Sequence, residues 1–233
     1  MKKENNFAFT LAEVLITLGI IGIVAALTLP SVVANYKKQE TISKLKKGYS
    51  IIQQTLKMAE IDNGEISNWE PVNNGHEFFV KYIKNYIKAS DEYTSNTLWR
   101  IAPRKNLNGT AYSGSTYATW GNSISTHFML PDGILITLNT GSLNNIWVGI
   151  DTNGLKKPNQ IGKDTFLFIF TSKHGLQPLG GNGTTSYWNY GTYSRKAIIE
   201  HNSNGCNLNA NGYWCSALIM NDGWEIKKDY PFN

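Results

Sequence analysis

The feature that most limits what this chain can fold into is the run from Phe9 to Leu29, 21 residues in which Glu13 is the only charge. As an α-helix it would span about 30 Å, the thickness of the hydrocarbon layer of a bilayer. Its flank, Met1 to Ala8, is short and polar and carries Lys2 and Lys3, as the charged head of a targeting segment does. The remainder of the 233 residues suffices for one large domain but not for several cores. Within it, 26 Asn and 21 Gly favour turns and argue against an all-helical bundle.

Two readings of the apolar run compete. In the first it is an ordinary secretory signal, with Val32 and Ala34 as the small residues before a cut at Asn35. Against this stand its length and the carboxylate of Glu13, which is expensive inside a membrane unless partnered. In the second, a cut between Ala8 and Phe9 makes the amine of Phe9 the chain start, four residues before Glu13. Where one helix is shifted axially against its neighbour, Glu13 of one chain then meets the Phe9 ammonium of another, and both charges are compensated. Pairing within one chain at this spacing is the weaker alternative.

The stretch Ala8-Phe9-Thr10-Leu11-Ala12-Glu13-Val14-Leu15-Ile16 resembles the class III signal of type IV pilins and type II secretion pseudopilins, where a short basic leader precedes Phe, a small polar residue, Leu and then Glu. The resemblance implies cleavage after Ala8 by a prepilin peptidase, N-methylation of Phe9 and a role for Glu13 in filament assembly. The implied partners are other pilin or pseudopilin subunits and an inner-membrane assembly platform. The family's usual residue before the cut is Gly, where this chain has Ala8. Pro30 also fits the family pattern, removing a backbone donor just beyond the first helical stretch. The implied location is the inner (cytoplasmic) membrane, crossed once, with the globular domain outside the cytoplasm and later in a pilus or pseudopilus. Lys37, Lys38, Lys44, Lys46 and Lys47 after the run, against Lys2 and Lys3 before it, taken alone favour the opposite orientation. A long following domain with two cysteines outweighs them, because long domains translocate largely regardless of charge.

Beyond Pro30, Ile42, Leu45, Tyr49, Ile52, Leu56 and Ala59 recur at spacings of three and four, with Lys44, Lys47, Gln54 and Lys57 on the opposite face. One long helix over residues 9 to 60 is the simplest reading, ended by Asp62-Asn63-Gly64. A short helix is expected from His76 to Ala89. Strands are expected at Ser125 to Leu130, Ile134 to Leu138, Ile146 to Ile150 and Thr165 to Thr171, the first two joined by Pro131-Asp132-Gly133. The expected fold is therefore α+β and pilin-like, a long N-terminal helix packed on a C-terminal antiparallel β-sheet of about four strands. The expected organisation is a leader over 1–8, an assembly helix over 9–30, an amphipathic continuation over 31–60 and a β-rich domain over 61–233.

The connector from Asp151 to Asp164 holds Asp151, Asn153 and Asp164, oxygen donors that a structural calcium would use, at a spacing that is not that of an EF-hand. Asp and Asn followed by Gly also serve any tight turn, and that use is favoured. The connector resembles a loop of many pilin-like proteins that leads into the last sheet strand. Cys206 and Cys215 are expected to form a disulfide in an exported chain. Such a bridge resembles the C-terminal loop of pilins, as Asp222-Gly223-Trp224 and Tyr230-Pro231 resemble their chain end.

Motifs of catalysis are missing. His76, His127, His174 and His201 have no metal-ligand spacing, no serine sits in a G-x-S-x-G elbow, and Gly180 to Thr184 lacks the Lys of a phosphate loop. No enzyme activity and no cofactor are expected. Tyr187, Trp188, Tyr190 and Tyr193 could stack sugars or bases if exposed, although packing is the more common use. A formal charge of +5 attracts polyanions such as nucleic acid weakly and carries no motif for them. The reading is thus a structural subunit of a pilus or pseudopilus. Its rival is a membrane-anchored or secreted monomer that binds glycan or DNA.

Overall fold

A computed structural model of the chain describes residues 10–94, 102–112, 125–142, 145–180 and 193–232. Contacts divide the chain into two units, Met1–Glu40 and Thr41–Asn233. Helix α1, Leu11–Asn63, runs through Pro30 and supplies the described part of the first unit and the opening element of the second.

In the first unit the apolar side chains are exposed, from Leu11 at 77% to Val33 at 42%. The segment is long and apolar enough to cross a membrane, with a mean hydropathy of 2.3 over its best window; a signal sequence passes the same test. Its hydroxyls are satisfied within the helix: Thr17 donates to the Val14 carbonyl, Thr28 to that of Val24 and Ser31 to that of Thr28, all within 2.9 Å. This is how a hydroxyl is carried into hydrocarbon without an orphaned donor.

In the second unit, six strands form one antiparallel sheet in sequence order. They are β1 (Asp91–Thr94), β2 (Thr126–Met129), β3 (Leu135–Ser142), β4 (Asn145–Asp151), β5 (Thr165–Thr171) and β6 (Gly175–Pro178). The four expected strands are β2 to β5. The count is corrected to six because both edges carry a further short strand, Asp91-Glu92-Tyr93-Thr94 on β2 and Gly175-Leu176-Gln177-Pro178 on β5. Asp91-Glu92-Tyr93-Thr94 does not alternate apolar with polar and Gly175-Leu176-Gln177-Pro178 is too short to stand out by its alternation; each is a strand because its neighbour presents an open row of backbone donors and acceptors. The β2–β3 turn closes through Leu130 N–H to the Ile134 carbonyl at 2.8 Å, with Gly133 at φ +83°.

One sheet face carries Phe128, Ile136, Leu138, Val148, Ile150, Phe166, Phe168 and Phe170, all buried and set side by side by the strand register. Onto it packs the buried stripe of α1, Leu45, Gly48, Ile52, Thr55, Leu56 and Ala59. At Gly48 a Cβ would lie 2.9 Å from Ile150 Cγ2, so the missing side chain sets how closely the helix approaches. All seven residues of β5 are buried, so the sheet is covered on its second face as well. The cover includes helix α4, Cys215–Asn221, whose Ser216 hydroxyl donates to the Leu167 carbonyl at 2.5 Å.

The helix expected from His76 to Ala89 is corrected to three short pieces. Helix α2, Gly75–Phe78, is capped by Asn74, a π-helical turn covers Phe79–Ile83 and a 3-10 turn covers Lys84–Tyr86. Phe78, Phe79, Tyr82 and Ile83 all enter the core from this stretch, at spacings of one, three and four that place them on one helical face. Helix α3, Arg195–Glu200, begins at the Ser194 cap. Cys206 and Cys215 are joined in a buried disulfide with Cα atoms 4.8 Å apart. Closing so short a loop contributes on the order of 3 kcal/mol.

Candidate functional site

Of the residues expected to act in processing and assembly, Ala8 and Phe9 lie outside the described residues. Thr10 and Glu13 form the head of α1. The Thr10 N–H and hydroxyl both donate to Glu13 Oε2, at 2.8 and 2.9 Å, and the Glu13 N–H donates to Thr10 Oγ1 at 3.3 Å. This is a reciprocal capping box, which satisfies two orphan donors of the first turn. Its signature, Thr-x-x-Glu ahead of an apolar run, was present in the sequence and unused in the expectation for Glu13. In this arrangement the single carboxylate of the apolar segment is folded back on its own chain.

The second set of expected residues, Asp151, Asn153 and Asp164, meets at one place. The Asn153 N–H donates to Asp151 Oδ1 at 3.2 Å, and Asn153 Nδ2 donates to Asp164 Oδ2 at 3.2 Å. The positive charge beside them belongs to Arg104, whose Nη2 lies 3.2 Å from Asp151 Oδ2 while the Thr165 hydroxyl donates to the same oxygen at 2.9 Å. Asp164 accepts the N–H groups of Asn159 and Gln160 at 2.7 and 2.6 Å. The carboxylates therefore tie the connector to hairpin 104–112 through protein donors. Among the described residues no three His, Cys, Asp or Glu side chains gather as a metal site would require.

Two buried carboxyls share one buried guanidinium here, and their ionisation follows from that. Burial pushes Asp151 up to about 7 against the pull of Arg104, with the charge of Asp164 adding to the rise. Burial also raises Asp164, against the amides of Gln160 and Asn159. His127, buried on β2 with Nδ1 2.8 Å from Thr137 Oγ1, is pushed down to about 3 by burial and by Arg104. The two shifts act oppositely on stability. A raised carboxyl binds its proton more tightly in the folded chain, so its stabilisation is complete below about pH 4 and is lost as pH rises through 7. A lowered histidine is protonated first in the unfolded chain, so its contribution falls as pH drops from about 6.5 towards 3. Urea titrations at several pH values, with each variant compared to the parent, separate these two opposed slopes. Asp151→Asn should then make stability rise with pH between about 4 and 6.5, and His127→Gln should make it fall over about 4 to 7; a variant profile parallel to that of the parent would refute this assignment.

Arg195, Lys227 and Asp229, which the sequence did not single out, fasten the chain end together with Asp222. Arg195 donates twice to Asp222, at 2.6 and 2.9 Å, and twice to Asp229 at 2.7 Å, while Lys227 reaches Asp222 at 2.8 Å. Asp222-Gly223-Trp224 is the turn that ends α4, with Trp224 at φ +64° and its ring 5.2 Å from that of Tyr49 on α1. The Tyr230 hydroxyl donates to the Gly162 carbonyl at 2.6 Å. Of the aromatic cluster, Tyr187, Trp188 and Tyr190 lie outside the described residues; Tyr193 stacks on Trp214 at 4.7 Å.

A family of unknown function, DUF6613, has a sequence model that matches residues 31–233. The chain belongs to that family. The match takes in the amphipathic stretch, the sheet, the connector and the disulfide loop, and it leaves out the apolar run with Thr10 and Glu13. No curated protein and no solved structure matches the chain.

Proposed function

We propose that this chain is a structural subunit of a type IV pilus or a type II secretion pseudopilus, held in the inner membrane and then assembled through the apolar segment of α1. The observation that carries the reading is the head of that segment. A carboxylate sits at the start of an exposed apolar helix, its local needs met by Thr10 and with no ion pair among the described residues, and a charge of this kind favours pairing with a cation in hydrocarbon. The Phe9 amine of a neighbouring chain, freed by a cut after Ala8, is a cation of matching depth. Gly19 and Gly22 have open space where a Cβ would stand, which lets a second helix approach closely. The amphipathic stretch of α1 on an antiparallel sheet supports the same reading. The test is the intact mass and first residue of the protein recovered from its native membrane. A chain starting at N-methylated Phe9 is expected; a start at Asn35, or at Met1, would overturn the proposal.

A further inference from the structure

Helix α1, residues 86–88 and the β2–β3 turn enclose a groove of about 370 Å³, a volume that suits a small organic molecule. Its floor is apolar, made by Ile51 of α1, Ile87 and Leu130, with the ring of Pro131 at one side. Leu130 belongs to the core, and half-buried Ile51 and Ile87 pack against it. The floor therefore comes from three segments far apart in the chain and is fixed by the packing of the domain, not by one loop.

The backbone here has little left to give a ligand. The Leu130 N–H donates to the Ile134 carbonyl, the Gly133 N–H to the Leu130 carbonyl and the Ser90 N–H to the Met129 carbonyl, at 2.8 to 2.9 Å, and Pro131 has no N–H. A peptide that binds by adding a strand finds no open row of partners. Polar recognition falls to the side chains of the rim, Lys47, Tyr86, Lys88 and Asp132. Two of these are spent on protein partners: the Tyr86 hydroxyl donates to Asp62 at 2.8 Å, and Asp132 accepts Lys47 at 2.6 Å. What remains is donor capacity, in the further hydrogens of the Lys47 ammonium and in the whole of Lys88, which is exposed and has no ion pair among the described residues. Two ammonium groups against one carboxylate leave the rim with an excess of one positive charge. Lys46 is exposed and without an ion pair as well, but it lies outside the groove; the cation next to an enclosed apolar floor is what sets Lys88 apart.

We infer that this groove binds a small, free organic carboxylate, its compact apolar body on Ile51, Ile87 and Leu130 and its carboxylate at Lys88. The floor selects against an inorganic anion, which gains nothing from apolar contact and loses water on entering. The rim selects against a cation, because its one carboxylate is already paired with Lys47. A neutral ligand would leave the ammonium of Lys88 without a partner at the mouth. The inference rests on this groove alone and stands apart from the assembly reading.

The test uses the full chain in phosphatidylcholine nanodiscs with its isoleucine methyl groups isotope-labelled, titrated with phenylacetate and followed by NMR. The Ile51 and Ile87 methyl signals should move and saturate, with a Kd on the order of 1 mM for so small a ligand. The neutral isostere phenylacetamide should bind about threefold more weakly, the size of an ion pair at an exposed site, and the cation phenethylamine more weakly still. Lys88→Gln, a change at an exposed position, should erase the difference between acid and amide, whereas Lys46→Gln should preserve it. The proposal is overturned if the Ile51 and Ile87 signals stay still up to about 20 mM phenylacetate, if the amide or the amine binds the parent as tightly as the acid, or if the difference survives Lys88→Gln. Shifts confined to Ile16, Ile20, Ile21 and Ile23 would overturn it too, since they would report partition into the lipid.

Discussion

Arg104→Met is expected to destabilise the domain by about 3–5 kcal/mol at neutral pH, measured by urea denaturation of the full chain in detergent. The guanidinium is buried at 5% exposure and is the cation shared by Asp151 and Asp164. Without it two carboxyls remain in the interior, and either they ionise unpaired or they hold protons that the unfolded chain would release. The deficit should therefore shrink as pH is lowered towards 4, because a neutral carboxyl needs no cation. Asp151→Asn in the Arg104→Met background should restore part of the loss, since it removes one of the stranded charges. Unchanged stability of Arg104→Met would show that the cluster contributes nothing to the fold.

Glu13→Ala is expected to leave membrane insertion intact and to lower incorporation into cross-linked oligomers by at least about tenfold, since removing one partner of a desolvated pair costs several kcal/mol. Insertion should even become easier, because the change deletes the one charge of the apolar run. Glu13→Gln separates two uses of this side chain. A carboxamide oxygen still accepts from Thr10, as the carboxylate does here, so the capping box survives while the charge is lost. If charge sets the register between subunits, Glu13→Gln should assemble as poorly as Glu13→Ala. Assembly of Glu13→Gln at the parental level would leave the carboxylate with the capping role alone.

The legible parts of the fold are those written in short-range pattern. The stripe from Ile42 to Ala59 contains most of the α1 face that is buried, and Phe128, Ile136, Val148 and Phe168 fall on the strands expected from apolar runs bounded by turns. The connector was legible as a turn carrying the oxygen donors Asp151, Asn153 and Asp164. What they converge on was not, because Arg104 sits in Pro103-Arg104-Lys105-Asn106, a polar stretch in which nothing local marks one cation as buried and the next as exposed. Helices α3 and α4 escaped notice for a related reason. At six and seven residues each they are too short to hold together by propensity and exist because the sheet and the disulfide loop fix them in place.

By itself the sequence determined a helix able to span a membrane, an amphipathic continuation, a sheet of antiparallel strands and a thiol pair placed for a disulfide, because each depends on residues two, three or four apart or on the reach of a short loop. Only the tertiary structure decided that Asp91–Thr94 and Gly175–Pro178 pair as edges. It alone decided that Arg104 turns inward while Lys105 turns out, and that Arg195 clamps Asp222 and Asp229. Those outcomes hang on which distant segments close on one another: a charge is buried where a counter-charge 47 residues away arrives to meet it, and no local pattern records that arrival.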